Sequence, residues 1–174
     1  MAKYLFVIVT LAISATGLAQ SPTVLKDSGL KKLAVFVGTW RGENDPDPTV
    51  KSPTFAVSTC QWSPNGKYLI CDQQVTNQGS TTNNLSIYSR DPDKDAYTLT
   101  VVGIPGMQPF SIPITYQGDE LYYLGSYTDN SGKKVYTRTV NTFLSPTSYT
   151  FKVQSSEDGE HWTTSIQGKS RKIH

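Results

Sequence analysis

His161 and His174 are the two imidazoles of the chain, and a whole strand-like run separates them with no second ligand at a useful spacing. A metalloprotease helix, a nucleophile elbow or a phosphate loop would leave His-Glu-x-x-His, Gly-x-Ser-x-Gly or a glycine-rich turn, and none occurs. Asp91, Asp93 and Asp95 alternate as calcium ligands do, but the central glycine and distal glutamate of a calcium loop are missing. Asp beside Pro or Gly is what turns select, and Glu157, Asp158 and Glu160 read the same way. These groups yield no catalytic residue, no metal site and no cofactor. A cofactor-free enzyme such as an isomerase needs a titratable side chain inside the fold, and the alternating faces offer none. A binding or structural protein is the expected reading.

Cys60 and Cys71 flank Trp62-Ser63-Pro64-Asn65-Gly66-Lys67-Tyr68, a strong hairpin signal. A two-residue turn at Asn65-Gly66 sets Cys60 directly opposite Cys71. A type I turn at Pro64-Asn65 with Gly66 in a bulge sets Cys60 opposite Ile70 instead. Both registers bring the thiols close, so a disulfide is expected. Without nearby histidines the pair does not complete a tetrahedral metal set.

The ten tyrosines are the richer chemistry. On an inward face each offers a ligand an apolar wall with a hydroxyl at its tip. Tyr97, Tyr123, Tyr136 and Tyr149 are the candidates, with Phe110 on a neighbouring run. Met107 sits in Gly103–Pro109, an apolar loop that serves as a lid or a plug. The same rings equally suit the packed centre of a barrel.

The elements that must position these groups are short strands between turn clusters, an all-β signature. Asp27 or Ser28 caps a short helix through Leu30, Leu33 and Ala34. Strands are predicted at Trp40–Glu43, Thr54–Trp62, Lys67–Thr76, Asn84–Ser89, Tyr97–Val102, Phe110–Tyr116, Leu121–Ser126, Lys134–Phe143, Tyr149–Gln154 and His161–Arg171. Asn44–Pro53 is a Pro-rich loop and Gln78–Thr82 a polar turn. Hairpin-length connections throughout imply an up-and-down meander of about ten strands, which removes its edges by closing into an antiparallel barrel. Tyr97, Leu99 and Val101 share one face, as do Phe110, Ile112 and Ile114, and Tyr149, Phe151 and Val153. These apolar faces are expected to point inward.

Met1–Ala19 has the three parts of a secretory signal peptide: Lys3, an apolar stretch over Tyr4–Ile13, and Gly17-Leu18-Ala19 before the cleavage point. The stretch is shorter than the roughly 20 residues of a spanning helix, so no membrane span is expected after cleavage. Gln20 would begin the mature chain, and the absence of a cysteine there argues against a lipid anchor. Residues 20–174 then form one domain in a secreted or periplasmic, oxidising setting. Losing only Lys3 leaves 15 basic against 14 acidic residues, a balance that gives no field for nucleic acid. The partner expected is a small apolar ligand, and nothing sets an oligomeric state.

Leu30, Leu33, Phe36, Gly38 and Trp40, followed by Arg41-Gly42, together with Asp158-Gly159-Glu160-His161-Trp162 and the basic end Lys169–Lys172, carry a resemblance. The chain resembles a bacterial domain-of-unknown-function family of exported, lipocalin-like (calycin) barrels. That resemblance implies a structural role for Gly38, Trp40 and Gly42 at the closed end. It also implies a cation over Trp40 from the last strand, Arg171, or Lys172 if the register slips by one. The fold is further similar to nitrobindin, a haem-binding barrel whose axial histidine lies on the last strand near the chain end. Here His161 falls at the start of that strand and His174 beyond its end, which speaks against haem.

Overall fold

Ten short runs separated by turns form the strands, several of them with one apolar and one Thr/Ser-rich face, and closure leaves the sheet without an unpaired edge. The computed structural model describes residues 28–46, 54–129 and 131–174, and the leader lies outside them. The strands are β1 Gly38–Asn44, β2 Phe55–Trp62, β3 Leu69–Asn77, β4 Ser80–Asp91, β5 Ala96–Val102, β6 Phe110–Gln117, β7 Glu120–Thr128, β8 Lys134–Ser145, β9 Ser148–Ser156 and β10 Thr163–Lys172. Each pairs antiparallel with its sequence neighbours, and β1 also pairs with β10, so the sheet is a closed barrel.

A 3₁₀ helix, Ser28–Phe36, precedes β1. Its apolar residues Leu30, Leu33 and Phe36 recur every third position, which in a three-residue turn stacks them in one row. All three are buried, Leu33 completely. Such helices rarely exceed a turn or so because their hydrogen bonds are poor. Here side chains supply extra donors to helix carbonyls. The Tyr97 hydroxyl donates to Gly29 O at 2.8 Å, Tyr116 to Lys32 O at 3.3 Å, and Trp40 Nε1 to Phe36 O at 2.9 Å. The helix thereby caps the barrel end that holds the start of β1 and the end of β10.

The β2–β3 hairpin combines the two turns weighed from sequence. Gly66 N donates to Ser63 O at 2.8 Å across Pro64-Asn65, and Gly66 takes a positive φ of 67°. Yet Ser63 N also donates to Tyr68 O, so the loop is one residue longer than a bulge would make it. Cys60 consequently faces Cys71, and the two form a disulfide.

Two strands differ from expectation. Gln78 and Gly79 both adopt positive φ, a tight two-residue turn that lets β4 begin at Ser80 within the predicted polar turn. At the other extreme β10 starts only at Thr163. Asp158 Oδ1 accepts the backbone N–H groups of Glu160 and His161, both at 2.8 Å, and this cap holds His161 and Trp162 in the loop. Those N–H groups, with His161, keep the Asp158 carboxyl well below the usual range.

Candidate functional site

The registers sort the inward side chains into two levels. Toward the helix, Phe36 packs against Tyr88, Phe143, Tyr149 and Trp40 with ring centroids 5.5, 5.5, 6.2 and 6.4 Å away. This aromatic plug fills the barrel beneath the helix. Toward the opposite end the inner face carries Ser58, Gln73, Asn84, Thr139, Phe151 and Val153, and these stay half-buried. The registers place no charged side chain on the inner face of that half.

Between the levels lies a chain of hydroxyls. Asn141 Nδ2 donates to the Tyr123 hydroxyl at 3.4 Å, and that hydroxyl lies 3.3 Å from the Tyr88 hydroxyl. Burial pushes both phenols well above their ordinary range, so both remain neutral donors. Nearer the mouth, Gln73 Nε2 donates to Ser58 Oγ at 3.1 Å. Beside it on β4, Asn84 Oδ1 is buried and accepts no hydrogen bond from any described residue. An orphaned buried acceptor of this kind costs about 1–3 kcal/mol and marks a place where a donor belongs.

The six aromatic and loop residues singled out from sequence do not converge. Tyr97 and Tyr149 are inward but belong to the helix end, one bonded to the helix and the other packed 5.2 Å from Trp40. Tyr123 lies on the hydroxyl chain between the levels. Tyr136 has the opposite parity and faces outward, under Lys134 and against Gly159. Met107 is 55% exposed at the tip of its loop, whereas Ile104 packs on the core. Phe110 alone reaches the inner face near the mouth, opposite Val101. Asn84, Gln73 and Ser58 went unremarked because isolated amides and hydroxyls on a polar-looking run give no sequence signal.

Of the two cations that the resemblance implied for Trp40, the one in place is Lys172 and not Arg171. Trp40 pairs with Lys172, whose Nζ lies 5.1 Å from the indole centroid. Arg171 pairs with Arg41 on the outer face, 69% exposed and 3.9 Å from Glu43 Oε2. Parity decides this, since neighbouring strand residues point to opposite faces. Gly38, with φ of 110°, leaves room for the His174 carbonyl, which an added Cβ would meet at 2.5 Å. Gly42 faces Ser170 across the β1–β10 seam. Gly168 is the tighter position, because a Cβ there would run into the Glu43 carbonyl and meet Phe151 Cζ at 2.6 Å.

Both histidines stand outside the barrel. His161 is 88% exposed, with Nδ1 2.7 Å from Asp158 Oδ2, and His174 is exposed at the helix end. Among the described residues no three His, Cys, Asp or Glu side chains gather to hold a metal ion. No described helix is long and apolar enough to cross a membrane.

No curated protein matches the sequence. Among solved structures, the crystal structure of Rv2717c from M. tuberculosis superposes with a TM-score of 0.55 at 12% identity, over 87% of this chain and all of that one. At that identity the likeness concerns the fold. The family model described as protein of unknown function (DUF1579) matches residues 29–172, from the helix through the last strand, and the chain belongs to that family.

Proposed function

We propose that the chain is an exported, lipocalin-like carrier that holds a small, uncharged apolar or amphipathic molecule in the half of the barrel opposite the helix. The observation that carries this reading is the contrast between the levels: a close-packed aromatic plug on one side, and a half-buried inner face of amides, hydroxyls and aliphatic groups on the other. The Cys60–Cys71 disulfide suits a non-reducing compartment, in keeping with export behind the Met1–Ala19 leader. The reading needs no imidazole, and the haem alternative has none directed into the barrel from the described residues.

The test is N-phenyl-1-naphthylamine, an uncharged dye whose fluorescence rises in apolar surroundings. Wild-type protein is expected to bind it. Thr139→Trp, which adds a large ring to the inner face beside Tyr123, is expected to lose that signal while the protein stays folded. Equal dye binding by the folded variant, or none by the wild type, would favour a barrel that only presents loops to a partner.

A further inference from the structure

Two inward-facing polar sites lack a full set of partners among the described residues, an acceptor on β4 and a proton of the Tyr88–Tyr123 pair, and they are of opposite kind. Asn84 Oδ1 is the buried acceptor without a donor. Four residues along the same strand and on the same face, Tyr88 shares a single hydrogen bond with Tyr123. Each phenol owns one proton, and only one of the two protons can lie between the oxygens. Asn141 approaches the Tyr123 oxygen as a donor and so takes up neither proton. Whichever way the pair is oriented, one phenol O–H is left without an acceptor among the described residues. Residues four apart on a strand are spaced about 13 Å along it. Between them Ser86 is small and buried, and on β7 Gly125, two residues beyond Tyr123 on the same face, carries no side chain and is flanked by Thr137 and Ile112.

We propose that the barrel takes an elongated, uncharged amphiphile that offers a hydrogen-bond acceptor to the Tyr88–Tyr123 pair at its inner end and a donor to Asn84 at its outer end. This rests on the carrier reading above and adds the ligand's polarity at each end. The chain between the two polar ends is aliphatic, because Val101, Ile112 and Val153 share the inner face with them. Charged termini are disfavoured, since among the described residues no charged group stands on that face to pair with them.

Octane-1,8-diol and 1-octanol are the probes, compared by isothermal titration calorimetry on the disulfide-bonded protein. A purely apolar cavity binds the alcohol better, because the second hydroxyl of the diol would be buried without a partner. The proposal predicts the reverse, with the diol about fivefold to tenfold tighter. In Asn84→Leu that preference should vanish. In Tyr88→Phe it should persist, because Tyr123 then keeps the free proton. In the double variant Tyr88→Phe/Tyr123→Phe it should vanish again. If the double variant does not fold, Asn84→Leu decides alone. Equal affinities in the wild type, or a preference that survives in Asn84→Leu, would overturn the assignment of the two ends and leave the carrier reading standing. Failure of both probes to bind would remove the carrier reading itself.

Discussion

The helix half and the mouth half of this barrel are built on the same alternating strands, yet they treat their interior differently. Under the helix, Tyr88, Phe143 and Tyr149 crowd around Phe36, and Leu33, Leu69 and Leu121 are fully buried. Toward the mouth the same strands turn inward Asn84, Thr139 and Val153, which are shorter and only half-buried. Ten strands enclose more width than small side chains fill, so filling requires large rings or an added element. Among the described residues the helix supplies that element at one end alone. The comparison teaches that in this fold the strands set the container, whereas side-chain volume decides which part of it is solid.

Alkali should break the solid half with the largest effect. Burial raises the phenols of Tyr88, Tyr116, Tyr123 and Tyr149 in the folded state, whereas an unfolded chain ionises its tyrosines near pH 10. Their contribution to stability is therefore complete below about pH 10 and is lost as pH rises above it. Tyrosinate absorbance from these rings is expected to appear only together with loss of near-ultraviolet dichroism. Their ionisation in a still-folded protein would mean that the plug admits water.

A substitution sharpens the contrast further. Phe36→Ala removes the ring at the centre of the plug and is expected to cost about 3–5 kcal/mol in chemical denaturation. Val153→Ala at the mouth level should cost under about 1.5 kcal/mol, because its surroundings are not close-packed. A smaller effect than that of Phe36→Ala concerns the seam. Lys172→Gln should cost about 0.5–2 kcal/mol by removing the cation from Trp40, and Arg171→Gln, on the exposed outer face, no more than about 0.5 kcal/mol. Equal costs would mean that the cation–indole contact contributes nothing.

Much of the container was legible in the chain. Alternating runs between turn clusters marked the strands, the run through Leu30, Leu33 and Ala34 marked the helix, and the hairpin signal around Asn65-Gly66 brought Cys60 close to Cys71. Two kinds of information were not local. Period two reports which face a side chain takes but not its height in the barrel, so Tyr97 and Tyr149 read as inward without revealing that they belong to the plug. Parity is also fragile to a single step, which is why Arg171 stood in for Lys172 and why Tyr136, next to inward Thr137, read as inward. The orphaned acceptor on Asn84 is invisible in sequence, because it arises from strands that meet only when the barrel closes.

The central claim, that ligand sits in the mouth half and not among the plug, is tested most directly by intermolecular nuclear Overhauser contacts from bound 1-octanol to methyl-labelled protein. The account predicts contacts to the methyl groups of Val101, Ile112 and Val153 and none to Leu30 or Leu33. Contacts confined to Leu30 and Leu33, or to the exposed Leu124 and Leu144 on the outside, would contradict it.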